Sequence, residues 1–194
     1  MPDPRTLEPP MAAGSTAASR VLAVVRALRP HQWVKNLLVF VPVVLDHRLF
    51  DPAALEKAVT AFVAFCCAAS SAYVLNDILD LDADRRHPTK RHRPFASGAL
   101  SPTFGIVLVP VLLGFAAAVS WQKLPPAFLQ LLALYVVLTA TYSLYLKELA
   151  VVDVLLLAGL YTLRVLAGIA AAHVRFSTWL LAFAMFLFLS LAFL

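Results

Sequence analysis

The sequence predicts an all-α, polytopic transmembrane helix bundle, and three observations support this prediction. The 194 residues are 61% hydrophobic and 14% charged, with a mean hydropathy of +0.82, whereas soluble domains contain about a quarter charged residues. Apolar runs of about 17 to 25 residues recur along the chain, and this is the length that a helix needs to cross a bilayer. In lipid the backbone must satisfy its own hydrogen bonds, so such runs form helices.

The predicted elements begin with a polar tail. Residues 1–19 are rich in Pro, Ala and Ser and lack the apolar core of a signal peptide, so we expect them to be disordered. Residues 20–32 carry three arginines among Val and Leu, which is typical of a short amphipathic helix on a membrane surface. Six crossings are then expected, at about residues 34–50, 52–80, 102–121, 126–146, 149–172 and 177–194.

The distribution of Lys and Arg predicts the orientation. Eleven of these residues lie in segments expected on one side of the membrane and four on the other, and Arg164 lies within the fifth span. By the positive-inside rule, the N-terminus and the loop after the second span are expected in the cytoplasm. The net charge of +5 therefore reflects topology. The basic residues do not form the stripe interleaved with aromatic residues that would indicate nucleic-acid binding.

One stretch concentrates the charge, VLNDILDLDADRRHPTKRHRPFASG at residues 74–98. If the second helix continues through it, a rotation of about 100° per residue places Asn76, Asp77, Asp80 and Asp84 within one arc of about 100°, with Asp82 outside. Three carboxylates on one face repel each other near hydrocarbon and need a counter-charge. Either arginines or a divalent metal would supply it. Mg²⁺ is a suitable metal because it prefers oxygen ligands and commonly completes its shell with substrate phosphates.

The loop after this motif offers cations. The segment RRHPTKRHR contains five permanent positive charges that could bind phosphate oxygens, namely Arg85, Arg86, Lys90, Arg91 and Arg93. A solvated helix end with local salt bridges is the simpler interpretation. The grouping of the carboxylates on one face favours a functional site over this alternative.

These motifs resemble the UbiA superfamily of membrane prenyltransferases. NDILDLDAD fits the N-D-x-x-D-x-x-x-D aspartate-rich motif of that superfamily, and HPTKRHRPFASG is similar to the basic loop that follows it. LRPHQWVKNLLVFVPVVL and YSLYLK resemble a narrower branch, the decaprenyl-phosphate phosphoribosyltransferases of actinobacterial cell-wall synthesis. The resemblance extends over residues 25–194.

The resemblance implies a nine-helix bundle with a central cavity in the bacterial plasma membrane. It implies that Asp77, Asp80 and Asp84 act in catalysis by holding Mg²⁺ on the diphosphate of a soluble donor, with Asn76 assisting. A second aspartate-rich motif, expected after the sixth helix, would lie beyond the last residue of this sequence. We therefore expect residues 20–194 to be the N-terminal part of the domain, with about six of nine helices, and to be inactive or nearly so alone.

The implied reaction transfers phosphoribosyl from phosphoribosyl diphosphate to a polyprenyl phosphate, with departure of diphosphate. Fixed cations and Mg²⁺ would stabilise the negative charge on the leaving group. The same residues would serve an aromatic prenyltransferase that uses a prenyl diphosphate, so this alternative stays open. A transporter or cation channel with an acidic vestibule is a third alternative, which would distribute acids over several helices. The oligomeric state is left open.

Polar residues at the cytoplasmic ends of the spans are further candidates for substrate binding. The first span opens with Arg29, Gln32, Lys35 and Asn36. Tyr142 and Lys147 close the fourth span on the same side. These side chains could meet a substrate phosphate, or they could anchor the helices at the interface.

Two charges lie within the fifth span. A charged residue inside a membrane usually faces the interior of the bundle. Asp153 is shallow enough to join the cytoplasmic site, and Arg164 lies deeper. We expect Arg164 to pair with a polar group on another helix rather than to contact substrate.

Overall fold

The computed structural model describes residues 17–146, 150–175 and 178–192. Within these ranges the elements are helices and none is a strand, which confirms the all-α prediction. Four helical segments are long and apolar enough to cross a membrane. They match four of the six predicted spans and extend over Pro52–Leu79, Pro102–Lys123, Pro126–Leu144 and Val154–Ala172.

The α-helices are numbered in chain order. They are α1 (Ala17–Leu28), α2 (Val41–Leu45), α3 (Pro52–Leu79), α4 (Leu81–Arg86), α5 (Pro102–Lys123), α6 (Pro126–Thr141), α7 (Ala150–Ala172) and α8 (Thr178–Ala192). Two 3₁₀-helices, Pro30–Phe40 and Lys90–His92, and the π-helix Tyr142–Leu146 complete the set. Helices α3, α5 and α6 each begin with proline, because the first helical position needs no N–H donor.

The predicted surface helix is present as α1. It begins at Ala17, within the predicted tail, and residues 1–16 of that tail lie outside the described residues. Ala23 and Ala27 are buried, whereas the opposite face exposes Val and Leu side chains. Arg29 follows the helix with a left-handed backbone, φ 52°, and this turn directs the chain into the next segment.

The first predicted crossing, residues 34–50, differs from a single long α-helix. The chain forms the 3₁₀-helix Pro30–Phe40, then the five-residue α2, and leaves the helix at Asp46. Pro42 has no N–H and cannot donate the bond to Leu38 that would continue an α-helix. With a rise of about 2.0 Å per residue, the 3₁₀-helix extends over about 22 Å. It packs against α3 and α7.

The 3₁₀-helix approaches α7 most closely at Gly168. A Cβ atom at this position would meet the carbonyl oxygen of Val39 and lie 2.9 Å from its carbonyl carbon. The absence of a side chain on Gly168 therefore permits the two backbones to touch. Arg48 adds a second link, because its Nη1 donates to the carbonyl oxygen of Ala172 at 3.0 Å, near the C-terminal end of α7.

Gly168→Ala is expected to destabilise the fold by about 1–3 kcal/mol, because backbone atoms of Val39 must move to admit the methyl group. The matched control is Gly159→Ala in the same helix, where nothing lies within 4 Å of the added Cβ. This control should stabilise the protein by about 0.5–1 kcal/mol, the difference in helix propensity. Thermal unfolding in detergent, followed by circular dichroism, measures both. Equal melting temperatures for the two variants would contradict the close contact.

Candidate functional site

A polar cavity of about 250 Å³ lies between the 3₁₀-helix and helices α3, α6 and α7. Three cations and four tyrosines are among its lining residues. Each helix contributes residues at spacings of three and four, which is one helical face. The lining residues are Ala69, Ala72, Tyr73 and Asn76 from α3, Tyr135, Thr139, Tyr142 and Ser143 from α6 and its π-helical extension, Leu157, Leu160, Tyr161 and Arg164 from α7, with Arg29 and Lys35.

The acidic motif at the end of α3 contains a turn at Asp80, so the predicted continuous helix is interrupted. The Asp80 N–H donates to the Asn76 carbonyl at 2.9 Å, and the Asp84 N–H donates to the Asp80 carbonyl at 2.8 Å. The four-residue spacing that relates Asn76, Asp80 and Asp84 is therefore kept across the turn. The side chain of Asp82, which was expected outside the group, is 86% exposed.

Arginines supply the counter-charge for two of the carboxylates. The side chains of Asp77 and Asp84 are each 2% exposed. Arg93 Nη1 lies 3.2 Å from Asp77 Oδ1 and 2.7 Å from Asp84 Oδ2. Arg29 Nη2 lies 2.6 Å from the same oxygen of Asp77. Arg29 and Arg93 therefore supply positive charge to these two carboxylates.

The loop before α5 brings Arg93 onto the acidic motif. Two residues after Arg93, Phe95 is 1% exposed. A Cβ at Gly105 would lie 2.6 Å from Ile78 Cδ1 and 2.8 Å from Phe95 Cε1. The backbone of the first turn of α5 therefore packs closely against both side chains. Gly98 has φ 79°, a conformation that favours glycine, and it lies in the turn between Phe95 and α5. The buried Phe95 thus holds the loop in place and positions Arg93.

Two residues connect the acidic motif to the cavity. Asn76 lines the cavity, and its Nδ2 donates to Asp80 Oδ2 at 3.0 Å. Arg29 also lines the cavity, pairs with Asp77, and lies 5.0 Å from the ring centroid of Tyr73. The motif and the cavity therefore form one continuous polar site. We call the end at Asn76 and Asp80 the mouth.

The donor atoms at the mouth fit a partial Mg²⁺ shell. Among the residues that the structure describes, no group of three or more His, Cys, Asp or Glu side chains could hold a metal ion by itself. Mg²⁺ does not need such a group, because it commonly takes one or two carboxylates and completes its octahedron with water and substrate phosphates. Asp80, half-buried and next to the Asn76 amide, is an oxygen donor suited to this mode.

The opposite end of the cavity, which we call the floor, is built around Arg164. This residue is 6% exposed. Its Nε donates to Asn36 Oδ1 at 2.9 Å, its Nη2 to the Tyr135 hydroxyl at 3.1 Å, and its Nη1 to the Leu160 carbonyl at 2.7 Å. The prediction that Arg164 pairs with polar groups on other elements is confirmed. The structure adds that the same side chain lines the cavity.

The other predicted residues have different outcomes. Lys35 and Tyr142 line the cavity. Arg85, Lys90 and Arg91 are exposed, and the described cavity residues do not include them. Two further candidates lie beyond the described residues, namely Lys147 and the side chain of Asp153.

Sequence interpretation missed the uncharged polar residues of the wall. These are Tyr73, Tyr135, Thr139, Ser143 and Tyr161. A single Tyr or Thr in an apolar span is common and by itself indicates little about a site. Their spacing was the available signal, because each lies three or four positions from another lining residue on the same helical face.

Comparison with known proteins shows the family of this chain. The sequence profile of the UbiA prenyltransferase family matches residues 14–194. The chain belongs to the UbiA prenyltransferase family. This UbiA chain is 43% identical over 169 residues to the nodulation protein NoeC of Azorhizobium caulinodans, covering 86% of the chain and 53% of the relative. It is 37% identical over 168 residues to the decaprenyl-phosphate phosphoribosyltransferase of Mycobacterium tuberculosis, covering 84% of the chain and 55% of the relative.

A solved structure shares the UbiA fold of this chain. The UbiA homolog from Archaeoglobus fulgidus, determined with bound DMAPP and Mg²⁺, superposes with a TM-score of 0.74 at 21% identity. The match covers 87% of this UbiA chain and 61% of that structure. This likeness supports the helix-bundle fold. The UbiA chain described here spans about half the length of the two relatives named above.

Proposed function

We propose that the intact protein is a Mg²⁺-dependent integral-membrane transferase that moves phosphoribosyl from phosphoribosyl diphosphate to a polyprenyl phosphate, releasing diphosphate. The observation that carries this proposal is the cavity lined by Arg29, Lys35, Arg164 and four tyrosines, which opens beside an acidic motif. Both substrates are anions, so both suit a basic cavity. The relative from Mycobacterium tuberculosis is named a decaprenyl-phosphate phosphoribosyltransferase, which supports the choice of transferred group and acceptor.

In the proposed reaction, an oxygen of the acceptor phosphate attacks the anomeric carbon while the bond from that carbon to the diphosphate oxygen breaks. The diphosphate leaves with the bonding electron pair and gains negative charge. Mg²⁺, when bound, neutralises part of this charge. The residues of this chain bind and orient the two anions, and no side chain needs to act as a nucleophile.

At the mouth we assign Mg²⁺ first to Asp80, because its carboxylate is bonded to the cavity-lining Asn76. Asp77 and Asp84 stay predicted ligands, although their carboxylates contact arginines. Arg29 uses one guanidinium nitrogen on Asp77, and its remaining N–H groups can bind diphosphate oxygens as these become more negative.

The exposed cations of the loop, Arg85, Lys90 and Arg91, have a weaker role in this proposal. They raise the local concentration of an anionic donor without holding it in the cavity. Lys147 and Asp153 stay proposed neighbours of the same end. Tyr142 lines the cavity wall, and we assign it a contact with a substrate phosphate there.

Membranes containing the intact protein should transfer label from phosphoribosyl diphosphate into lipid when a polyprenyl phosphate is supplied. EDTA should abolish the transfer and excess Mg²⁺ should restore it, because the departing diphosphate needs neutralisation. A parallel reaction with labelled geranyl diphosphate and a hydroxybenzoate tests the aromatic prenyltransferase alternative. Product from this second pair alone would contradict the proposed donor. If neither donor–acceptor pair gives product but the membranes conduct cations, the alternative of a transporter or cation channel is favoured.

We also propose that the N-terminus and the acidic motif face the cytoplasm of a bacterial plasma membrane, as the excess of basic residues on that side predicts. Lys90 is exposed in the loop next to the motif. Lys90→Cys should therefore react with a membrane-impermeant maleimide in inside-out vesicles, with the native protein as the control for Cys66 and Cys67. Labelling in right-side-out vesicles would reverse the orientation.

A further inference from the structure

We propose that the floor of the cavity, formed by Arg164, Lys35 and Tyr135, is a binding site for a phosphate monoester, separate from the diphosphate site at the mouth. This inference rests on the proposed function. In that reaction the donor carries a sugar phosphate in addition to its diphosphate, and the acceptor is a lipid phosphate monoester.

Arg164 holds a buried charge without an ion-pair partner among the described carboxylates. Its three hydrogen-bond acceptors, on Asn36, Tyr135 and Leu160, are all neutral. The ring centroids of Tyr135 and Tyr161 lie 4.9 and 5.7 Å from its Cζ atom. These contacts orient the guanidinium but leave its charge in place. A buried cation is costly unless an anion accompanies it, so the floor favours an anionic ligand.

The Arg164 guanidinium also has N–H groups that donate no hydrogen bond in the described structure. Arginine carries five N–H groups, and in the described structure Arg164 uses one on each of its three nitrogens. One N–H on each terminal nitrogen is left. Because Arg164 lines the cavity, these two donors are available to a ligand there. Two N–H groups of one guanidinium match the oxygens of a phosphate in a bidentate contact.

Lys35 supplies a second cation. It lines the same cavity as Arg164. Within the described residues, Lys35 forms no ion pair either. An anion bound in the cavity would neutralise both positive charges. A phosphate monoester carries up to two negative charges, and one such group would serve both residues.

The Tyr135 hydroxyl adds a directional contact. It accepts a hydrogen bond from Arg164 at 3.1 Å, and the residue is 3% exposed at the cavity wall. A hydroxyl that accepts in this way keeps its own proton for another acceptor. A phosphate oxygen bound by Arg164 would be such an acceptor.

The floor is too far from the mouth for a single diphosphate to occupy both. Along α3 the lining runs from Asn76 to Ala69, and along α7 it runs from Leu157 to Arg164. Each distance is seven residues, or about 10 Å of helix rise. A diphosphate held beside Asp80 would therefore leave the floor for a different anionic group.

The test measures binding directly, by the thermal stability of the intact protein in detergent. The probes are ribose 5-phosphate for the sugar phosphate, farnesyl phosphate for the lipid phosphate, and farnesol as a lipid without phosphate. We expect at least one phosphate monoester to raise the melting temperature and farnesol to leave it unchanged. The ester that does so identifies which substrate places its phosphate at the floor.

Variants then locate the site. Lys35→Gln and Arg164→Lys should each weaken binding of that ester by about tenfold or more, since each removes a charge-assisted contact. Tyr135→Phe should weaken it less. Lys123→Gln is the matched control, because Lys123 is an exposed cation on a different helix, paired with Glu56 at 2.7 Å. Binding of Mg²⁺ with inorganic diphosphate should persist in Lys35→Gln, which shows that the mouth is intact.

Two results would overturn the inference. The first is the lack of a melting-temperature shift with either ester, and the second is unchanged ester affinity in Lys35→Gln and Arg164→Lys. If Arg164→Lys does not fold, Lys35→Gln and Tyr135→Phe decide the question. The readout does not depend on turnover. If the esters bind at the floor but phosphoribosyl is not transferred, the proposed function is rejected and the floor site stands. If phosphoribosyl is transferred but the esters do not bind at the floor, the floor site is rejected and the proposed function stands.

Discussion

Replacement of Asp80 by Asn is expected to lower phosphoribosyl transfer by on the order of a hundredfold or more. The substitution removes one negative charge with almost no change in size. The amide can still meet Asn76, which donates to Asp80 at 3.0 Å in the native protein. The loss should therefore come from weaker binding of Mg²⁺. The measurement is initial transfer rate in membranes as a function of Mg²⁺ concentration, and half-maximal activity should require more Mg²⁺.

The control for Asp80→Asn is Asp82→Asn, two positions further along. Its side chain is 86% exposed, and its nearest described cation, on Arg85, lies 3.8 Å away. Transfer by this variant should stay within about twofold of the native rate, because surface charges contribute little. Full activity of Asp80→Asn at low Mg²⁺ would remove the acidic motif from the mechanism. Equal losses of transfer rate in the two variants would show that the rate depends on the total negative charge of the motif and not on Asp80 itself.

Arg93→Gln is expected to destabilise the protein by about 3–5 kcal/mol, the usual cost of removing one partner from a buried ion pair. Arg93 bridges two buried carboxylates, at 3.2 Å from Asp77 and 2.7 Å from Asp84. Without it Asp77 keeps Arg29, whereas Asp84 loses its cation. Thermal unfolding in detergent measures the effect. A double variant with Asp84→Asn should recover part of the loss, because the unpaired charge is then absent.

The control for Arg93→Gln is an ion pair with the same separation between its charged atoms but with exposed side chains. Lys123 Nζ lies 2.7 Å from Glu56 Oε1, the same separation as in the pair of Arg93 and Asp84. The two side chains of this control pair are 52% and 65% exposed. Lys123→Gln should therefore leave the melting temperature almost unchanged, because surface ion pairs contribute little to stability. Similar melting temperatures for the two variants would mean that the arginine bridge contributes no more than a surface pair.

Much of the fold was accessible from local sequence. Four apolar runs predicted the four long helical segments. These predictions succeed because the length and hydropathy of an apolar run act over one helix at a time. The helical arc drawn through NDILDLDAD placed Asp82 apart from Asn76, Asp77, Asp80 and Asp84, and the Asp82 side chain is exposed.

The failures occurred where distant segments meet. The segment of the first predicted crossing forms the 3₁₀-helix Pro30–Phe40 and the short α2. Its contact with Gly168 on α7 has no signature in the residues themselves. The turn at Asp80 and three of the four tyrosines of the cavity wall, Tyr73, Tyr135 and Tyr161, were also missed. A tyrosine in an apolar span faces lipid or a cavity according to how its helix is rotated, and that rotation is set by the neighbouring helices.

By itself, the sequence determined a helical membrane protein with a row of acids at one helix end and cations after it. Only the tertiary structure decided which side chain each charged residue contacts. Arg29 lies 48 positions from Asp77, and Arg164 lies 128 positions from Asn36. Helices form from hydrogen bonds four residues apart, so their positions can be read from a short stretch. A buried charge, in contrast, must be satisfied by whatever groups the packed bundle brings to it, and no local pattern specifies them.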